Sequence, residues 1–220
     1  MENSPPINLD KYNTIILDCD GVILDSNSIK TDAFVELLNN YDKDAIEEFV
    51  AYHKAYGGVS RQKKIEYFLK IIVDEYSEPT YSKLVKEYGR LVSTKLKNVK
   101  LTKGAWDFLV KYSKSKKLFV LSGGKQSELH ESFNRLKIFD FFQFVYGNPL
   151  SKEENFNLLR SNYNTGSKVV FIGDAKKDFE VATQFEMDFI FVKKYSEFSA
   201  YLSYFQGKEV TIVESLLDIV

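Results

Sequence analysis

The segment IILDCDGVILDS, residues 15–26, carries Asp18, Asp20 and Asp25 behind an apolar run. Clustered carboxylates repel one another, and each loses solvation when it is covered. A buried strand has no structural reason to end on them. Two further apolar runs end in polar residues. KLFVLSGG (117–124) closes on Ser122, Gly123 and Gly124, and KVVFIGD (168–174) closes on Asp174, with Asp178 four residues beyond. Carboxylates converging from separate strands can hold a hard cation such as Mg²⁺. The cation would relieve their repulsion. A hydroxyl and backbone N–H groups at Ser122-Gly123 can bind phosphate oxygens. A lysine nearby would help to neutralise a transferring phosphoryl group.

Such a site needs a parallel sheet, whose strand ends point to one edge. TIIL (14–17), KLFVLSGG, KVVFIGD, DFIFVK (188–193) and VTIV (210–213) read as buried strands. Helical patterns separate them. SELHESFNRLKIF places Leu129, Phe133 and Leu136 on one face, and SKEENFNLLR starts at an N-capping Ser151. Strands alternating with helices predict an α/β fold with a Rossmann-like parallel sheet and right-handed crossovers. Residues 28–98 interrupt the alternation with four helical patterns and no strand. Apolar residues recur there at helical spacing, as at Ile65, Phe68, Leu69 and Ile72. Asp42 or Asp44, Ser60 and Thr80 are its expected N-caps. The division predicted is an α/β core from 1–27 and 99–220, with a helical cap from 28–98. An insert directly after the first strand lies above the edge where open α/β sheets bind ligands, so it is a candidate lid.

Composition narrows the partners. The 220 residues are 44% hydrophobic, with net charge −1 and pI ≈ 6.2. That is a globular chain without the basic surface that nucleic acid or an anionic membrane would demand. Cys19 is the only cysteine, which excludes an intramolecular disulfide and a CxxC zinc site. The opening MENSPPINLDKYN is polar, unlike a signal peptide. No apolar run approaches the roughly 20 residues that span a bilayer. A cytoplasmic location is expected, and the oligomeric state is left open.

Four motifs in order resemble those of the haloacid dehalogenase-like hydrolases, in the phosphoglycolate phosphatase and β-phosphoglucomutase-like branch with a helical cap. DCDGVILDS resembles the first, VLSGG the second, GNPLSKEEN the third and FIGDAKKD the fourth, together spanning residues 15–178. The resemblance implies that Asp18 attacks phosphorus to form an aspartyl-phosphate. Asp20 would protonate the leaving oxygen and then activate water. Ser122 and Gly123 would bind phosphate with Lys152. Mg²⁺ would be held by the Asp18 carboxylate, the Asp20 backbone carbonyl and Asp174, with Asp178 ligating through water or orienting Lys152. Gly21 would permit the tight turn. An acid at position 20 disfavours dehalogenase and phosphonate-cleaving chemistry within the family. The implied activity is a Mg²⁺-dependent phosphatase for a small phosphate ester such as a sugar phosphate. The alternatives are a phosphosugar mutase or a catalytically silent sugar-phosphate-binding protein.

Other residues have structural readings. Asp25, with Ser26, is expected to cap the next helix. Cys19 alternates away from its neighbours and should pack beneath the strand. Lys125 and Lys168 compete with Lys152 for the phosphate. His53 and His130 are expected on helix surfaces, and Trp106 in the core. Arg61 lies in the first turn of a helix after Gly57-Gly58, where a cation opposes the helix dipole. It is either a surface residue or a grip for a substrate anion when a lid closes. His53 and Lys64 are weaker candidates for that grip.

Overall fold

The computed structural model describes residues 7–166 and 168–220, so Met1–Pro6 of the polar N-terminal stretch lie outside the described residues. Strand β1, Thr14–Leu17, is buried at every position. Its side chains alternate between two apolar clusters: Ile15 and Leu17 join one, and Ile16 joins the other. A strand buried on both faces belongs at the centre of a parallel sheet. It pairs in parallel with β2 (Lys117–Lys125) on one side and with β4 (Val169–Gly173) on the other.

The sheet continues outward through β3 (Phe144–Asn148), β5 (Asp188–Val192) and β6 (Thr211–Val213), in the order β3-β2-β1-β4-β5-β6. All pairings are parallel. The order reverses direction at β1, so the crevice beyond its C-terminal end is the topological switch point. The sequence reading did not include β3. Its FVYGN run follows an aromatic stretch and ends in a turn, so neither the period nor the boundary marks it.

Between β1 and β2 run α1 (Asn27–Leu37), α2 (Lys43–Ala55), α3 (Arg61–Tyr67) and α4 (Glu78–Leu96). The long third pattern is not one regular helix. After α3 it passes into a π-helical turn over Phe68–Ile72, and Asp74 then takes φ +50°. Phe34, Phe49, Phe68 and Val92 of this insert are fully buried, in the same cluster as one face of the sheet. Then α5 (Ala105–Tyr112) and α6 (Gln126–Arg135) cover that face through Phe108, Leu109 and Phe133. The other face is covered by α7 (Lys152–Asn162), α8 (Lys176–Gln184) and α9 (Tyr201–Phe205), through Phe156, Val181 and Phe205.

Several local expectations change. Asp42 and Ser60 cap α2 and α3, but Ser77, not Thr80, caps α4: its hydroxyl accepts the Thr80 N–H. Neither Asp25 nor Ser26 gives α1 a side-chain cap. The Ser26 hydroxyl donates instead to Asp20 Oδ1 at 2.5 Å, because the ionised carboxylate is the stronger acceptor. Trp106 is 48% exposed and meets Phe141 edge-on, so it is not core. His53 is buried rather than on a helix surface. His130 is half-buried and bonded to the Val145 carbonyl. Cys19 is fully buried, as alternation implied.

Candidate active site

The C-terminal ends of β1 and β4 place Asp18 and Asp174 side by side, and the first turn of α8 adds Asp178. One oxygen from each lies within 4.8 Å of the others, and all three residues are buried. Lys152, at the start of α7, is equally buried. Its Nζ donates to Asp18 Oδ1 at 2.6 Å and to Asp178 Oδ1 at 2.5 Å. Asp178 Oδ2 accepts the N–H groups of Asp174 and Ala175 at 3.2 and 3.0 Å. Asp178 therefore joins the end of β4 to the lysine. Lys125 and Lys168 are exposed, which leaves Lys152 as the lysine at this centre.

Three carboxylates share one ammonium, and the electrostatics follow from that deficit. Burial pushes the Asp18 carboxyl up to about 7, against the pull of Lys152. Burial, then the charges of Asp18 and Asp178, raise Asp174 well above the carboxylate range. Burial disfavours the Lys152 ammonium, but the Asp178 and Asp18 charges outweigh it and the proton is held more tightly than usual. A site that strains to protonate its own carboxylates has the donor type and charge for a divalent cation. Asp18, Asp174 and Asp178 fit Mg²⁺ on those grounds.

Asp20 stands apart from this trio. Its carboxylate accepts from Lys30 of α1 and from Ser26. Burial would raise its pKa, but Lys30, Ser26 and Lys152 together outweigh burial and hold it low. Two aspartates two residues apart are thus driven in opposite directions. Gly21, next to Asp20, leaves room for a contact across the turn. It has φ +77°, and a Cβ there would lie 2.1 Å from Asp174 Oδ2 and 2.4 Å from Asn27 Nδ2. Without a side chain at 21, Asn27 reaches Asp174 Oδ2 at 2.6 Å.

Ser122 is fully buried, and its Oγ accepts the Gly124 N–H at 3.0 Å. That bond shapes the end of β2, where the pairing with β3 shifts register between Leu121 and Lys125. Gly123 and Gly124 line the same cavity as Asp18 and Asp20. The loop at Gly57-Gly58 closes on this edge. A Cβ on Gly123 would stand 2.3 Å from the Gly58 carbonyl oxygen, and one on Gly57 would stand 2.9 Å from Ala175 Cβ. The paired glycines allow backbone of the insert to touch backbone of the sheet edge.

The insert also supplies the cavity's far wall. Arg61 is buried and lines it, but its guanidinium is engaged by the Glu128 carboxylate and lies over the Tyr88 ring. Lys64 and His53 line it as well, facing Glu197 from the loop after β5. Lys30, Asn27, Glu128 and Glu197 were not singled out from the sequence. Their partners lie in remote segments, and no local motif marks them. The enclosed space of the cavity measures ≈ 60 Å³.

Comparison with known proteins matches the fold. No curated protein matches the chain. Among solved structures, a haloacid dehalogenase-like family hydrolase, SP0104 from Streptococcus pneumoniae, superposes with TM-score 0.72 at 20% identity, covering 94% of this chain and 96% of that one. A β-phosphoglucomutase from Clostridium difficile gives TM-score 0.74 at 19% identity, covering 95% and 93%. The magnesium-bound HAD-hydrolase YfnB from Bacillus subtilis gives 0.67 at 16%, covering 94% and 96%. The Haloacid dehalogenase-like hydrolase family itself matches over residues 15–192, from β1 to the end of β5, and the chain belongs to that family.

Proposed function

We propose that the protein is a Mg²⁺-dependent phosphatase that hydrolyses a small phosphorylated metabolite through an aspartyl-phosphate on Asp18. The observation that carries this reading is that Asp18 and Asp20 have separate cationic partners. Asp18 shares Lys152 with Asp178, while Asp20 has its own cation in Lys30. One carboxylate is placed as nucleophile and the other as proton carrier.

Asp18, Asp174 and Asp178 would hold Mg²⁺, with the Asp20 backbone carbonyl as a further oxygen. When bound, the cation would neutralise the phosphoryl oxygens. Lys152 holds its ammonium against Asp18, where a phosphoryl group must arrive, and Gly123 would offer its backbone N–H beside it. Ser122 shapes that turn from beneath. Asp20 gives a proton to the leaving oxygen and later takes one from water. The Lys30 contact favours the ionised form that accepts the proton from water, and the proton so taken is the one given to the next leaving oxygen. Residues 28–98 act as a cap over a core of 1–27 and 99–220. The cap excludes water and selects the substrate, and the magnesium-bound YfnB structure is described as revealing interdomain movement.

The test is turnover of a phosphate-ester panel with and without Mg²⁺, with Asp18→Asn as control. Metal-independent turnover, or full activity in that variant, would sink the mechanism. Isomerisation of a sugar phosphate without phosphate release would move the reading to a phosphosugar mutase. Binding without any turnover would move it to a silent sugar-phosphate binder.

A further inference from the structure

Four ammonium or guanidinium groups line the cavity, and three of them have carboxylates. Lys30 pairs with Asp20, Arg61 with Glu128, and Lys54 with Glu197 at 3.6 Å. The fourth, Lys64, has no carboxylate within ion-pair distance among the described residues, although it is 3% exposed. Its Nζ lies 2.7 Å from His53 Nδ1 and 3.1 Å from the His53 carbonyl oxygen. An ammonium has three N–H donors, so one is left over at the cavity wall.

The neighbours fix the direction of these bonds. Thr31 Oγ1 donates to Glu197 Oε2 at 2.6 Å, because a carboxylate only accepts. The Thr31 oxygen is then the acceptor for His53 Nε2–H at 3.1 Å. With its proton on Nε2, His53 presents a bare Nδ1, and Lys64 must donate to it. Burial and nearby cations keep the ring neutral, its pKa well below the histidine range. The chain Glu197–Thr31–His53 thus orients Lys64 without neutralising it.

We infer that Lys64 is a specificity-determining residue that receives a carboxylate on the leaving-group half of the substrate, opposite the phosphoryl group at Asp18. The inference rests on the phosphatase reading and names the class of ester: phosphorylated hydroxy acids or sugar acids. The charge count favours a carboxylate over a second phosphate. One unpaired ammonium matches one negative charge, whereas a phosphate carries about −1.5 to −2 at neutral pH. Arg61 cannot supply the second positive charge while Glu128 occupies its fork. Burial also draws the Lys64 ammonium down to about 7, and a bound carboxylate would reverse that strain.

Matched substrate pairs test this: 3-phosphoglycerate against glycerol 3-phosphate, and gluconate 6-phosphate against sorbitol 6-phosphate, with p-nitrophenyl phosphate reporting the chemistry alone. The expected result is a kcat/KM at least about tenfold higher for each acid than for its alcohol. In Lys64→Met the ratio should fall towards one, mainly through KM of the acid. Lys64→Gln, which keeps a donor for His53, replaces that variant if it melts early. Equal use of acid and alcohol, a ratio indifferent to Lys64, or a Lys64-dependent preference for fructose 1,6-bisphosphate overturns the inference while p-nitrophenyl phosphate turnover leaves the phosphatase reading standing. If no ester turns over, the phosphatase reading fails, and melting of Mg²⁺-loaded Asp18→Asn decides the site. Stabilisation by the acid over the alcohol, lost in Asp18→Asn with Lys64→Met, supports it; no difference overturns it.

Discussion

Arg61 Nη1 donates to Glu128 Oε1 at 2.9 Å, and its other amino group donates to Glu128 Oε2. The arginine opens α3 in the insert and the glutamate lies in the first turn of α6, so this two-pronged bond ties the insert to the sheet domain. Both side chains are about one-tenth exposed, at 8% and 11%. Removing one partner strands the other as a buried charge. Glu128→Ala should therefore destabilise the protein by about 3–5 kcal/mol. Arg61→Met combined with Glu128→Met should recover much of that loss, because the charge and its partner leave together. Urea denaturation of the single and double variants measures both.

The separation of Asp18 from Asp20 predicts two different failures. Asp18→Asn removes the nucleophile and should abolish turnover. Asp20→Asn leaves Asp18, Lys152 and the metal ligands in place and should lower kcat by roughly 10²–10⁴. It should also stop the covalent aspartyl-phosphate from being discharged. Rapid-quench labelling with a phosphate ester would show this as phosphate retained on the Asp20 variant and none on the Asp18 variant. Equal labelling of the two variants would exclude the division of roles.

The acidic trio predicts a metal-dependent melting temperature. Mg²⁺ at a hundred times its Kd should stabilise the folded protein by about 2.7 kcal/mol. Asp174→Asn should abolish that response. Without metal, the same variant should melt no lower than the wild type, since it removes one charge from a repelling buried cluster. Calorimetry in chelator and in Mg²⁺ separates the two effects.

The parts of this site that were legible in the sequence are those carried by short contiguous segments. Asp18 with Asp20, and Asp174 with Asp178, sit at the ends of apolar runs, and parallel strands bring such ends to one edge. Lys152 follows an N-capping serine in a run that reads as a helix. The wall of the cavity is different. Thr31 and Glu197 lie 166 residues apart, and Arg61 and Glu128 lie 67 apart. Each pair depends on how the insert seats against the sheet, and no local period encodes that. His53 was misplaced for the same reason. Its helix shows one apolar face, but burial extends beyond it because Thr31 and Lys64 supply polar partners. Trp106 erred the other way: a large apolar residue beside Phe141 on the outside of α5.

Lys64 predicts how stability varies with pH. In the unfolded chain it binds its proton below the ordinary value of 10.5, but in the fold only below about 7. Between these values the unfolded state carries the extra proton, so unfolding takes one up and stability rises with pH. His53 does not interfere over this range: it stays neutral in the fold, and in the unfolded chain it is largely neutral above its ordinary value of 6.5. Lys64→Met removes the lysine's contribution. Relative to the wild type it should be most favourable near pH 7, and its advantage should shrink steadily towards pH 10. Urea denaturation of both proteins at pH 7, 8 and 9 reads this directly. A difference that stays constant across the three would mean that Lys64 keeps its proton in the fold.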